Sequence, residues 1–548
     1  MSRPNVPCGT RKQRYMHWSL MLLCLICCSA AAVHAAAPST ADARPGSASE
    51  PDLPRFDLLE LEVEGNSVLT TLEIEKAVYP FLGPDKTIKD VEAARTALEK
   101  LYHQRGYLTV LVDIPEQQVK EGVVRLRVTE GRVAQLRIVG NRYFSRGYIR
   151  AKVPALGAGM VPNFPEVQKQ LSQLARTPDR QVTPILRAGE TPGTVDVDLK
   201  VEDRLPLHGG VELSNRQSPN TEPLRAQAFL RYDNLWQREH SVALQYLVSP
   251  QDTTQVRAVS GTYVMPLPDS SNVLALYGVR SRSDVAAIGD LTVLGNGDIV
   301  GLRAILPLKS LAAYYHSLTL GIDYKDFEQA VGFPGAAPTN TPITYVPVSL
   351  QYSGTYTGKR GTTQMVATAS AAPRGMFGND DEEFEQNRFK ARASWFILRG
   401  ELSREQVLGR HFTLYGKLGG QLASQPLIQQ EQYVAGGVDS VRGFLEAEAA
   451  GDDAWFGRLE LRSPGVVQGT RLIADLTLFG FVDGASLHLQ EPLPGQISHF
   501  NLYSAGVGLR AKSPQRLDAS LDLAVPFENT QFTRSGEARV LFKVAYEF

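Results

Sequence analysis

Past residue 35 the chain contains no cysteine: all four, Cys8, Cys24, Cys27 and Cys28, lie before that point. Once that segment is removed, neither a disulfide framework nor thiolate chemistry is open to the mature chain. Long apolar runs are missing too. No stretch of eighteen apolar residues follows the N-terminal segment, which excludes spanning helices. Nor is there an excess of one charge. The formal net charge is −1 over 548 residues, and about −5 without the N-terminal segment, which carries Arg3, Arg11, Lys12 and Arg14 and no acid. That is not the balance of a nucleic-acid binder, so no nucleic acid is expected as a partner. Catalytic signatures are also absent: there is no Gly-x-Ser-x-Gly elbow and no His-Glu-x-x-His zinc pair. Gly354-Thr355-Tyr356-Thr357-Gly358-Lys359 approaches a phosphate loop but is one residue short, with Arg360 where Ser or Thr is required. The seven histidines beyond residue 35 have no ligand spacing, and Asp380 to Glu383 reads as a solvated loop. No catalysis, no metal and no cofactor are expected.

What is present begins with a secretory signal. Residues 1–35 combine a basic start, an apolar run from Leu20 to Cys28 and a small-x-small site at Val33-His34-Ala35. The run of nine is too short to span a bilayer. Residues 36–54 are rich in Ala, Pro and Ser without periodicity and read as a flexible leader.

From Phe56 a small α+β unit is predicted. Leu59, Leu61 and Val63 alternate and Gly65-Asn66 marks a turn. Leu72 to Leu82 reads as helical, and Thr87 with Asp90 forms a capping box for a helix bearing Val91, Ala94, Leu98 and Leu101. Two strands follow, Leu108 to Ile114 and Val123 to Thr129, giving the order βααββ. The order then restarts: Leu136, Ile138 and Gly140-Asn141 repeat Leu61, Val63 and Gly65-Asn66 at an offset of 75 residues. A helix near Pro165 to Ala175 and a strand with Val195, Val197, Leu199 and Val201 complete the second copy. The expected units are 55–133 and 134–204.

From residue 205 to the end the helical period disappears and alternating segments succeed one another, among them Leu318 to Lys325, Phe412 to Gly419 and Leu517 to Val525. The last segment is the clearest. Val540, Phe542, Val544, Tyr546 and Phe548 occupy every second position, opposite Arg539, Leu541, Lys543, Ala545 and Glu547. A soluble sheet gives such strands as well. Here, 344 residues of them without a break suit a closed transmembrane barrel of about sixteen antiparallel strands, because lipid leaves no backbone polar group unpaired.

Gly436-Gly437-Val438-Asp439-Ser440-Val441-Arg442-Gly443-Phe444, followed by Phe479-Gly480-Phe481-Val482-Asp483, carries the family signal. With two tandem units resembling polypeptide-transport-associated (POTRA) domains and Asp233-Asn234-Leu235-Trp236 opening the barrel, the chain resembles the TpsB transporters of two-partner secretion. These are the ShlB/FhaC/HecB type of haemolysin secretion/activation proteins, within the superfamily that includes BamA. The resemblance implies an outer-membrane transporter that exports, with activation as a further role, a large unfolded exoprotein of the TpsA type. It also implies periplasmic N-terminal domains, contact with outer-membrane lipid, and recognition of a C-terminal signal at Tyr546 and Phe548 by the barrel-assembly machinery. The alternative within the superfamily is a BamA- or TamA-like factor that inserts other barrels.

Parity bears on the motif independently. If Leu476, Leu478 and Gly480 face lipid, then Phe479, Phe481 and Asp483 face the lumen. The family pattern implies that the loop carrying Val441, Arg442, Gly443 and Phe444 folds inward, that Arg442 pairs with Asp483, and that Phe444 packs near Phe481. Several members carry an N-terminal plug helix, whereas the four prolines of 36–54 predict that one is absent or rudimentary here, leaving the loop as the main obstruction.

Overall fold

The computed structural model describes residues 54–548 apart from 269, 284, 289–290, 329, 332–338, 410 and 470. The expected signal segment and nearly all of the leader, with the expectation about a plug helix, lie outside the described residues. Among the described residues no helix is long and apolar enough to cross a membrane.

Two small α+β units come first. In the first, Val123–Glu130 is the central strand, parallel to Glu60–Glu64 and antiparallel to Val110–Asp113. Helices Thr71–Val78 and Ile88–Gln104 cover it. Thr87 N–H donates to Asp90 Oδ2 at 2.8 Å, closing the predicted capping box. The buried stripe runs Val91, Ala94, Leu98 and then Tyr102 rather than Leu101. The second unit has the same plan, with Thr194–Asp203 parallel to Arg132–Val139 and antiparallel to Arg180–Ala188.

The repeat holds down to single atoms. Gly65 and Gly140 have φ of +89° and +87°, and a Cβ on either would stand 2.3 or 2.5 Å from the carbonyl oxygen of Val128 or Val201 in the central strand. Only glycine fits that crossing. Asn66 and Asn141 each donate to the backbone oxygen three residues on, at 2.8 and 2.9 Å.

From Leu207 a single antiparallel sheet closes on itself. Sixteen strands make the barrel once two broken ones are joined: Ile343–Tyr345 with Val348–Gly358 around Pro347, and Asp453–Arg462 with Val467–Gln468 around Pro464. Proline lacks the N–H that a ladder requires, so the breaks fall where it stands. Alternation puts Leu230, Leu244, Leu320, Leu418, Val482 and Val544 on the exposed outer face, and closure leaves no free edge for lipid to meet. Connections such as 236–239 and 359–360 are short at the end nearer the two units, while 373–394 and 424–452 are long at the other.

The second unit is fastened to the barrel at its first short hairpin. Gln237 accepts from Ser145 N–H at 2.8 Å and donates to Tyr143 O at 3.0 Å. Arg180, fully buried, donates to Glu239 at 2.7 Å and lies 4.5 Å above the Phe144 ring. Trp236, Gln237 and Glu239 all have positive φ, a conformation uncommon outside glycine that this docking holds in place.

Candidate functional site in the barrel lumen

The connection 424–452 turns inward. Gly436 and Gly443 make this possible, with φ of +113° and +95°. A Cβ at Gly436 would meet Leu445 O at 2.2 Å, and one at Gly443 would touch Ala524 and Pro526 on the wall. Between them Ser440 Oγ accepts from Gly436 N–H at 2.8 Å, and Val441 is completely buried.

Arg442 is the centre of the arrangement. Its Nε and NH2 groups donate to Asp483 Oδ2 and Oδ1 at 2.7 and 2.9 Å, and its backbone N–H reaches Oδ2 at 3.2 Å. This is the two-pronged geometry a guanidinium offers a carboxylate. Nη1 lies 2.9 Å from Glu460 and 3.8 Å from Asp522. Arg458 stands 3.6 Å from Asp483, and Arg462 and Arg510 flank Glu460 at 2.8 and 3.2 Å. Four guanidiniums therefore meet three carboxylates. Asp483 and Arg442 are wholly buried, and Nη1 of Arg442, which makes no hydrogen bond, is held beside Glu460 and Asp522 by charge.

The wall is shaped for this. Phe481 lies flat beneath Arg442, with the guanidinium carbon 3.5 Å from the ring centre. Phe479 supports Arg510 at 4.3 Å. Both rings need room on the neighbouring strand His499–Lys512, where Gly506 and Gly508 supply it: a Cβ at either would stand 2.5 or 2.4 Å from the ring.

The sequence-predicted residues are thus brought together, with one correction. Phe444 does not pack beside Phe481. It is buried with Val441, Phe456, Ala485 and Leu487 in a separate apolar cluster, while Phe481 belongs with Phe479 and Ala524. The charged guanidinium of Arg442 occupies the Phe481 face and leaves Phe444 the next layer. Glu460 and Asp522 escaped the sequence reading, although both lie on the polar side of alternating strands. Tyr546 and Phe548 sit apart on the outer face, about half exposed, their rings 6.5 Å apart.

A second inward-facing group gathers at the outer strand ends. Tyr345, Phe384, Trp395, Leu427 and Ile428 join wall residues such as Phe327 and Ile397 in an apolar core at the mouth. Asp452, fully buried, ties it: it accepts from Leu427 N–H at 2.9 Å and Gln490 N–H at 2.8 Å, and pairs with Arg388 at 3.3 Å. The expectation of a solvated acidic loop is corrected here. Asp380 caps helix Asp381–Asn387, its carboxylate accepting from Glu383 N–H at 2.9 Å, and Phe384 of that helix enters the core. The segment resembling a phosphate loop lies mostly in strand Val348–Gly358, with no helix N-terminus to face a phosphate.

Among the described residues one group has metal-like composition, Asp179, His208 and Asp233 at the junction of the second unit and the barrel. Arg204 at 3.1 Å from Asp179 and Arg231 at 2.9 Å from Asp233 neutralise its carboxylates, and His208 bridges them. Its geometry is that of an ion-pair lock.

Comparison with known families decides the reading. Residues 56–131 match the POTRA domain of ShlB type, and residues 193–511, more than half of the chain, match the haemolysin secretion/activation proteins ShlB/FhaC/HecB. The chain belongs to the ShlB/FhaC/HecB family. This family member is accordingly an outer-membrane transporter of two-partner secretion with N-terminal domains in the periplasm. It is 24% identical to the outer membrane transporter CdiB of Dickeya dadantii across 84% of this chain and 81% of that one. It is 20% identical to the heme/hemopexin transporter protein HuxB of Haemophilus influenzae across 87% and 84%. In fold it resembles CdiB from Escherichia coli, with a TM-score of 0.63 at 18% identity over 92% and 93% of the two chains. BamA from Haemophilus ducreyi lacking POTRA domains 1–3 gives 0.55 at 17% over 90% and 100%. The BamA likeness concerns the fold alone, and the family match favours transport over barrel insertion.

Proposed function

We propose that this transporter carries a large unfolded TpsA-type exoprotein from the periplasm to the cell surface through the barrel lumen, with the loop carrying Arg442 as the obstruction that must yield. The observation supporting this is the burial of Arg442 against Asp483, Glu460 and Asp522, three acids on one stretch of the inner wall. Val441, Gly443 and Phe444 shape the loop, while Phe481 and Asp483 form its seat on the wall. The two units, taken as POTRA domains 55–133 and 134–204 ahead of a barrel from residue 205, act as the receiving surface. Strand Arg180–Ala188 is a sheet edge, and beside it an apolar groove of about 420 Å³ is lined by Phe164, Val167, Leu171 and Leu186. An extended segment added to that edge would gain main-chain hydrogen bonds and place alternate side chains in the groove. The chain itself performs no hydrolysis, since the periplasm offers no nucleotide. Tyr546 and Phe548 serve as the signal read by the barrel-assembly machinery, and the outer apolar band meets lipid.

The test uses the product of a neighbouring reading frame encoding a very large secreted protein as cargo. Deleting 56–132 should abolish its export while the barrel still inserts. Purified transporter in liposomes should move a cargo fragment without nucleotide. Export at the intact level after the deletion, or an absolute need for ATP in the defined system, overturns the reading.

A further inference from the structure

The lumen loop is held at a second place, remote from the carboxylates around Arg442. Arg216 stands two residues beyond the first barrel strand, Leu207–Ser214, at its outer end. Its Nε donates to Glu446 Oε1 at 3.0 Å, and its NH2 group meets Asp439. Glu446 N–H donates to Gln217 O at 2.8 Å, and the same carboxylate accepts from Val438 N–H at 3.1 Å, so loop and strand end grip each other from both sides. On the other flank Glu448 accepts from Thr533 Oγ1 at 2.7 Å and from Thr530 Oγ1. Both threonines lie in the connection 527–538 that leads into the last strand, Arg539–Glu547.

The strands thus engaged, first and last, are the pair that closes the barrel. Their ladder is short. It has five residue pairs, from Lys543 opposite Ser214 to Glu547 opposite Gly210, where each of these strands has eight with its other neighbour. At the outer end Asn215 adds to the ladder with backbone and side chain: its N–H donates to Phe542 O at 3.3 Å, Nδ2 donates to Val540 O and Oδ1 accepts from Phe542 N–H, the last two at 2.8 Å. Beyond Asn215 the next polar links between the two sides run through the loop.

We propose that segment 436–448 is a clamp across the closing seam, with Arg216, Glu446 and Glu448 as its positioning residues, so that release of the loop from the wall loosens the outer end of the seam. Two events that a simple plug would keep separate become one. Arg216 and Glu446 are mostly shielded, with side chains 25% and 15% exposed, so their attraction is screened less than a surface pair's. This inference concerns loop and seam whatever polypeptide passes, and stands apart from the proposed cargo.

Hydrogen exchange on the full-length protein in liposomes tests it. Arg216→Gln, Glu446→Gln and Glu448→Gln should each speed exchange of amides in 209–215 and 540–547 on the order of tenfold, equivalent to about 1.4 kcal/mol. Amides of the Asp475–His488 and His499–Lys512 ladder should keep their rates. Arg442→Ala, which frees the loop tip, should give the same seam-confined signature. Unchanged seam exchange in variants that form folded barrel, or an equal rise in every ladder, overturns the clamp. Glu446→Gln keeps the shape of the side chain and decides the matter if Arg216→Gln does not fold.

Discussion

Arg442 and Asp483 were legible as a pair because a recognisable loop motif and the parity of one strand each point to a residue. Glu460 and Asp522 were not, since an inward acid on an alternating strand is common and only the closed barrel shows which ones converge. The network makes the two partners unequal. Asp483→Ala leaves Arg442 with Glu460 at 2.9 Å, whereas Arg442→Ala removes all the contacts that this guanidinium makes with the three acids. Breaking a buried pair typically costs about 3 to 5 kcal/mol, and here the cost should be lower because Arg458, Arg462 and Arg510 still balance the three acids. No cysteine follows residue 35, so one introduced as Val441→Cys reports loop release in protein that lacks the N-terminal segment. Maleimide labelling of that site should rise strongly with Arg442→Ala, less with Asp483→Ala, and no further in the double variant, since a contact is lost only once. Equal labelling of the two single variants would mean that Glu460 does not hold the loop. Gly508→Ala tests the wall from the other side. Its Cβ would stand 2.4 Å from the Phe479 ring and 2.5 Å from Asp522 Oδ1, so labelling should increase although no charge has changed.

Elements with a strong period were read well, as in helix Ile88–Gln104 and strands Thr194–Asp203 and Arg539–Glu547. Arg180–Ala188 was missed because Pro184 interrupts its run and the strand is only half covered, which leaves little alternation to read. Helix Asp381–Asn387 was hidden by its four acids, with Phe384 as its one buried residue. The last strand carries a prediction of its own. Phe548 exchanges backbone hydrogen bonds with Gly209, N–H to O at 2.9 Å and the reverse at 3.3 Å, so the chain's final residue fastens the inner end of the seam. Its ring also fills the space that a side chain at Gly209 would take. Deleting Phe548 should lower the fraction of heat-modifiable, folded barrel in outer membranes, both by fraying the end of a five-pair ladder and, if it is read as proposed, by weakening the assembly signal. An unchanged folded fraction would refute both roles.

At the scale of the molecule, two tandem units, a barrel and an inward loop were all anticipated, but the core at the mouth was not. Its side chains come from strand ends and connections spread between Leu247 and Ile428, and no local period announces a cluster assembled from so many parts of the chain. That core gives opening a thermal character. A plug held by ion pairs alone would leave with little change in heat capacity, whereas exposing Tyr345, Phe384, Trp395 and Leu427 to water raises it. The enthalpy of opening should therefore grow with temperature, and the closed state should be firmest at an intermediate one, yielding on cooling as well as on heating. Single-channel recordings from about 5 to 45 °C, a span over which apolar hydration changes markedly, should give a curved van't Hoff plot of open probability. A straight plot would show that the mouth moves aside with its core intact, as a door rather than as a melting seal.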